Sequence, residues 1–232
     1  MSAKHAARPV TRPTRRAIAG PGHGRTRDLI AAIACLGFFA LWTLAVCTVD
    51  VQPVGPLGSE VGFATVNVAF HQLTGENLVL YVLTDWLSLV PVAFVLGFGL
   101  LGLSQLVTRR SLAKVDRNLL ALGAFYAVML AAYLGFEAFA INYRPVLIDG
   151  ILEASYPSST TLLVLCVMPT AIMQLNRRIK NAGPRKLAAF TLTVFTVFMV
   201  AARLLSGVHW PTDIIGGILL SAGLVLAYRA AA

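Results

Sequence analysis

Residues 29–49 read LIAAIACLGFFALWTLAVCTV, and this uninterrupted apolar stretch decides the class of fold. A helix needs about 20 apolar residues to cross a bilayer, so the stretch can span and is too long for the apolar core of a signal peptide. Of the chain's 232 residues, 57% are hydrophobic and 12% are charged. That composition lacks the charged surface of a soluble domain and predicts an integral membrane protein.

Five further apolar stretches are predicted to span the membrane, at residues 87–107, 119–141, 160–175, 187–205 and 214–228. The segment 61–83 between the first two spans is too polar to cross, and part of it is predicted to form an interfacial amphipathic helix. Thr84 and Asp85 are interpreted as the cap at which the second span begins. Residues 28–232 are therefore predicted to form an all-α, six-span membrane domain.

Basic residues are distributed very unevenly along the chain. Residues 1–27 carry seven of them among Pro and Gly, which predicts a flexible basic arm. If the N-terminus is cytoplasmic, cytoplasmic segments hold 17 of the 19 Lys and Arg residues, and only Arg144 and Arg203 lie outside. Since cytoplasmic loops of membrane proteins are enriched in Lys and Arg, we expect both termini in the cytoplasm of a cell-membrane protein. The net charge of +9 then points to no nucleic-acid partner.

Four polar motifs are predicted to meet at the outer ends of spans three to six. They are Arg144-Pro145, Pro157-Ser158-Ser159-Thr160, Arg203 and His209-Trp210-Pro211-Thr212-Asp213. Two guanidinium groups suit phosphate oxygens, and a helix N-terminus with hydroxyls adds free backbone N–H groups. We therefore expect a phosphate site on the outer face, formed by Arg144, Ser158, Ser159 and Thr160 together with Arg203.

The start of the sixth span supplies a candidate nucleophile. Pro211 suits the first position of a helix, so His209 and Asp213 can face each other across the first turn. A carboxylate on one imidazole nitrogen fixes the tautomer and leaves the other nitrogen free to act as a nucleophile or base. We therefore predict His209, Asp213 and Arg203 as catalytic residues.

These motifs resemble the signatures of the type 2 phosphatidic acid phosphatase superfamily of integral membrane lipid phosphatases. Arg203, five residues, His209, three residues and Asp213 are similar to its third signature; Pro157-Ser158 is similar to its second and Arg144-Pro145 to its first. The resemblance covers spans three to six. It implies that His209 attacks phosphorus to form a phosphohistidine, that Asp213 orients it, and that Arg144, Arg203 and Ser158 hold the phosphate.

The resemblance also implies that no metal or other cofactor is needed. The sequence agrees in having no cluster of His, Cys and carboxylate residues with ligand-like spacing. Its three cysteines, Cys35, Cys47 and Cys166, lie within apolar stretches and indicate neither a disulfide framework nor a zinc site.

Three positions depart from the signatures. Glu137 stands in place of a Lys, Ala202 in place of a Ser, and Thr160 in place of the His that protonates the leaving group. An alkoxide needs a proton donor in order to leave, whereas the phosphate released from a diphosphate needs little help. The departures therefore favour a diphosphate substrate, a substitute acid, or loss of catalysis. Glu137, two turns from Arg144, is a candidate acid because a desolvated carboxyl can hold a proton.

The predicted function is hydrolysis of a lipid phosphate or diphosphate, of the phosphatidate or prenyl diphosphate type, at the outer membrane face. The alternative is a catalytically silent relative that binds or carries phospholipid headgroups. Each motif also has a purely structural interpretation: a plain helix cap at Ser158, a capping pair of His209 with Asp213, or an ion pair of Glu137 with Arg144. Beyond the lipid substrate and membrane lipids, the sequence names no partner and no oligomeric state.

Overall fold

The computed structural model describes the backbone from Pro21 to Ala232, with side chains from Gly24 onward. This part of the chain is helical, with eight α-helices: α1 (Pro21–Thr48), α2 (Ala64–Thr74), α3 (Leu78–Leu87), α4 (Leu89–Arg109), α5 (Arg117–Ala138), α6 (Ser159–Arg178), α7 (Ala182–Leu205) and α8 (Pro211–Ala231). Within it, six helical segments are long and apolar enough to cross a membrane, α3 and α4 together forming one of them. The six-span, all-α fold predicted from the sequence is confirmed.

The basic arm predicted at residues 1–27 lies largely outside the described residues. Its last part belongs to α1, which begins at Pro21.

The second span also begins earlier than predicted, at Leu78 instead of residue 87. Thr84 and Asp85 lie inside α3, so the prediction that they cap this span is wrong. The cap is Asn77, whose side-chain oxygen accepts the backbone N–H of Leu80 at 3.0 Å. A short break at Ser88 separates α3 from α4, because Pro91 has no N–H to donate to the carbonyl four residues earlier.

Helix α2 occupies part of the segment that was predicted to be an interfacial helix. Asn67 on this helix is buried, and its Nδ2 donates to the carbonyl of Gly62 and to Oγ1 of Thr212 at 2.9 Å. This contact ties the connection between the first two spans to the start of α8.

Helix α6 lies at the centre of the bundle, where it contacts both α7 and α8. The first turns of α6 and α8 approach closely because α8 carries glycine where a side chain would collide. A Cβ at Gly216 would lie 2.6 Å from the ring of Tyr156, just before α6. This packing places the residues that precede α8 against the N-terminus of α6.

Candidate active site

The loop between α5 and α6 folds back on itself at the end of the bundle where α6 and α8 begin. The backbone N–H of Arg144 donates to the carbonyl of Glu153 at 3.1 Å, and that of Ser155 to the carbonyl of Asn142 at 2.9 Å. Polar side chains from both arms of the loop therefore lie beside the two helix N-termini.

His209 is buried at the centre of this space, in the turn that connects α7 to α8. The turn requires glycine at Gly207, where φ is +70° and a Cβ would lie 2.1 Å from the carbonyl oxygen of Gly75. His71 Nε2 lies 3.1 Å from the carbonyl oxygen of Gly207. The C-terminal end of α2 thus holds the backbone that leads to His209 in place.

The sequence predicts a direct contact between His209 and Asp213, but the structure joins them through Ser155. His209 Nδ1 is 3.9 Å from Asp213 Oδ2, too far for a hydrogen bond. Ser155 Oγ lies between them, 2.9 Å from Nδ1 and 2.5 Å from Oδ2. The carboxylate is held back because Oδ2 also caps α8 by accepting the backbone N–H of Trp210 at 2.9 Å.

This arrangement determines the tautomer of the imidazole. A carboxylate only accepts hydrogen bonds, so the Ser155 hydroxyl donates a hydrogen bond to Asp213. The oxygen of Ser155 then accepts a hydrogen bond from the N–H at Nδ1 of His209. The lone pair of His209 is then on Nε2, a buried atom without a hydrogen-bond partner among the described residues. Burial, reinforced by the positive charges of Arg144 and Arg203, lowers the pKa of His209 well below its usual value. Near neutral pH the Nε2 lone pair is therefore available.

Arg203, at the end of α7, is buried and its guanidinium group lies over the ring of Tyr81, 4.8 Å from the ring centre. Its Nη1 donates to Oγ1 of Thr84 at 3.1 Å. Its Nε has no hydrogen-bond partner, and no ion pair links Arg203 to a carboxylate in the described part of the chain. A buried charge of this kind is costly unless an anion accompanies it.

Arg144 approaches the same ring of Tyr81 from the loop, at 5.8 Å from the ring centre. Its Nε is 3.0 Å from Oε2 of Glu153, and the two form an ion pair. Its Nη1 is buried and, within residues 24–232, has no hydrogen-bond partner. The two cations, Arg144 and Arg203, thus converge on one aromatic ring.

Ser158 is the N-cap of α6, yet its side chain forms no capping hydrogen bond. Its backbone N–H donates to the carbonyl of Asp213 at 3.1 Å, which joins the starts of α6 and α8. The hydroxyl is buried and, as far as the structure describes the chain, unpartnered, as is the hydroxyl of Thr161. The interpretation of Ser158 as a plain helix cap therefore does not account for its side chain.

The remaining predicted residues lie at the edge of the site. Ser159 and Thr160 line a cavity between α4, α5 and α6. Ser159 also lines a narrow cleft that reaches His209 and Glu137. Glu137 is exposed, and the ion pair with Arg144 that the sequence allowed does not form, since Arg144 pairs with Glu153.

Sequence reasoning missed five residues that support this site: Asn142, Glu153, Ser155, Tyr81 and Thr84. Asn142 Nδ2 donates to Oδ1 of Asp213 at 3.3 Å. Ser155 stands two residues before the Pro157-Ser158 motif, which was the one local signal available for it. Tyr81 and Thr84 could not be linked to Arg203 from the sequence, because they lie 122 and 119 residues away along the chain.

No group of three or more His, Cys, Asp or Glu residues that could hold a metal ion occurs in the described part of the chain. The cationic groups of the site instead suit an anionic ligand of phosphate type, which two guanidinium groups, a hydroxyl and a helix N-terminus can bind together.

Two comparisons with known proteins found a match. The family model described as the PAP2 superfamily matches residues 120–231. Among solved structures, the chain is similar to the crystal structure of the first transmembrane PAP2 type phosphatidylglycerolphosphate phosphatase from Bacillus subtilis, with a TM-score of 0.62 and 16% sequence identity. The similarity covers 86% of this chain and 94% of that chain, and it concerns the fold. No curated protein matches the sequence.

Proposed function

The chain belongs to the PAP2 superfamily through residues 120–231, and from this premise we propose that it is a membrane phosphatase that hydrolyses a lipid diphosphate or lipid phosphate. One observation carries the proposal: at the end of the bundle where α6 and α8 begin, four side chains each have a buried polar atom without a partner among the described residues. They are Nε2 of His209, Oγ of Ser158, Nε of Arg203 and Nη1 of Arg144. A phosphate group would supply acceptors for the cations and hydroxyl and an electrophile for the imidazole.

In the proposed mechanism, Nε2 of His209 attacks phosphorus and the bond to the leaving oxygen breaks. The imidazole then carries positive charge, which Asp213 stabilises through Ser155. Arg144, Arg203, Ser158 and the backbone N–H groups of α6 stabilise the charge that develops on the phosphoryl oxygens. Water subsequently hydrolyses the phosphohistidine and restores the imidazole.

The substrate class follows from Thr160, which cannot donate a proton usefully near neutral pH. We therefore propose a diphosphate of the prenyl type as the better substrate and a monoester such as phosphatidate as the poorer one, with Glu137 as the first candidate for a substitute acid. The alternative of a silent relative that binds or carries phospholipid headgroups is favoured by the same three departures, at Glu137, Thr160 and Ala202.

Phosphate release by the purified protein in detergent tests this proposal. With EDTA present, prenyl diphosphate should be hydrolysed faster than phosphatidate, because the phosphate released from a diphosphate needs less help from a proton donor. Asp149→Asn serves as a control because this carboxylate is exposed at a loop tip. Release from neither substrate would reject the phosphatase in favour of the silent relative.

We further propose that the site faces the outside and that both termini are cytoplasmic, as the distribution of basic residues favours. In a background with Cys35, Cys47 and Cys166 replaced by alanine, Asp149→Cys should react with an impermeant thiol reagent added to intact cells. Asn181→Cys, also exposed but in the loop between α6 and α7, should react only after the membrane is opened. The reverse labelling would contradict the proposed orientation.

A further inference from the structure

A cavity of about 340 Å³ lies between the second span, α5 and α6. Most of its wall is apolar, with Met129, Leu130 and Leu163 among its residues, and its polar groups include Asp85, Ser159 and Thr160. Thr160 is the residue that stands where the superfamily signature has its leaving-group acid. The cavity is therefore adjacent to the position at which a leaving group would need a proton.

Asp85 is the carboxylate of this cavity, and it lies within a membrane-crossing segment. It does not cap a helix, and its carboxylate forms neither a hydrogen bond nor an ion pair with any residue that the structure describes. Its neighbour Thr84 accepts the hydrogen bond of Arg203, so Asp85 belongs to the same turn that contacts the phosphate-binding arginine. Ionisable residues in membrane spans are costly and generally serve a function.

The nucleophile His209 lines a cleft beside this cavity. A narrow cleft lined by Glu137, Ser155 and His209 shares the wall residues Tyr133 and Ser159 with the cavity, so the two lie next to each other. In an in-line displacement the leaving oxygen departs on the side opposite the attacking atom. Glu137 lines the cleft with His209, whereas Asp85 lines the cavity with Thr160.

We propose that the cavity receives the leaving group of the substrate and that Asp85 is the residue that protonates the departing oxygen. This inference rests on the proposed phosphatase activity and replaces Glu137 as the acid. As Nε2 of His209 forms its bond to phosphorus, the bond from phosphorus to the alcohol oxygen breaks, and Asp85 in its acid form transfers its proton to that oxygen. In the second step water attacks phosphorus while the bond between phosphorus and Nε2 breaks, the proton of the water passes to solvent, and Asp85 regains its proton from solvent.

The test compares two substrates that differ in their need for an acid. Asp85→Asn should lower hydrolysis of phosphatidate about 100-fold while changing that of prenyl diphosphate by less than about threefold. The retained diphosphate activity reports that the variant is folded. Asp149→Asn, the same chemical change in an exposed loop, should alter neither rate. Adding Thr160→His to Asp85→Asn should restore phosphatidate hydrolysis, because an imidazole then supplies the proton.

Several outcomes would overturn the inference. One is an equal loss of both activities in Asp85→Asn, another is no loss of either, and a third is a selective loss of phosphatidate hydrolysis in Glu137→Gln alone. A wild-type protein that hydrolyses prenyl diphosphate but no phosphatidate would overturn it as well and leave the phosphatase standing. A wild-type protein active on neither substrate would reject the proposed function itself.

Discussion

Replacement of His209 by alanine is expected to reduce phosphate release to background, a loss of at least about 10⁴-fold, because removal of a nucleophile eliminates the covalent route. Incubation of the wild-type protein with a labelled phosphate substrate should also yield an acid-labile phosphoenzyme, and His209→Ala should yield none. The measurement is hydrolysis of prenyl diphosphate by purified variants in detergent. A His209→Ala protein that kept most of its activity would refute the phosphohistidine mechanism.

Replacing Ser155 or Asp213, which hold the imidazole, should reduce the rate of phosphate release by different amounts in the same assay. Ser155→Ala removes the hydroxyl that lies 2.9 Å from Nδ1 and 2.5 Å from the Asp213 carboxylate. Misplacing a reacting group in this way costs about 100-fold in kcat, less than loss of the nucleophile. Asp213→Asn should cost more than Ser155→Ala because it also removes the charge that stabilises the imidazolium. If Ser155→Ala retained full activity, the serine would not link Asp213 to His209.

Arg203→Lys is expected to lower kcat by about 10²- to 10³-fold, although the charge is kept, because loss of a donor to the developing oxyanion has an effect of this size. The guanidinium group can donate to Thr84 through Nη1 and still present Nε to the site. A lysine has one nitrogen and cannot occupy both positions. The same reasoning applies to Arg144, whose Nε faces Glu153 while Nη1 is unpartnered among the described residues.

Arg229→Lys provides the matched control, since Arg229 is exposed at the end of α8 and pairs with Asp28 at 3.4 Å, away from the site. Its activity should equal that of the wild type. Separate determination of kcat and KM distinguishes weaker substrate binding from a slower chemical step. Full activity of both Arg203→Lys and Arg144→Lys would show that charge alone suffices and that paired N–H donors are not needed.

The six spans were predictable because the length of an apolar stretch and the number of charges within it are local properties. Their ends were less predictable, and the second span shows why. Leu78 to Leu83 belong to α3, but the segment 61–83 appeared too polar to cross because of four polar residues before them, Asn67, His71, Gln72 and Glu76. A helix cap and a membrane boundary both attract polar residues, so the sequence cannot separate the two.

The residues proposed for phosphate binding and attack were also predictable, since each lies at the predicted end of a span and is polar where the surroundings are apolar. His209 and Asp213 are separated by a single helical turn, so their proximity could be predicted from their spacing in the sequence. Even so, the predicted direct contact between His209 and Asp213 does not form, since the two groups are 3.9 Å apart. Whether a carboxylate at the third position of a helix turns to its own N-terminus or to a neighbouring imidazole depends on what else donates to it, here Trp210 and Asn142.

The sequence by itself determined that this chain crosses a membrane six times and carries two arginines, a histidine and an aspartate at one end of the bundle. Only the tertiary structure decided that Ser155 stands between His209 and Asp213, that Tyr81 lies under both arginines, and that Asp85 faces a cavity. The physical reason is that helix formation and membrane insertion depend on neighbouring residues. A hydrogen bond or stacking contact between side chains 54 or 119 residues apart depends instead on how whole helices pack, which no local pattern encodes.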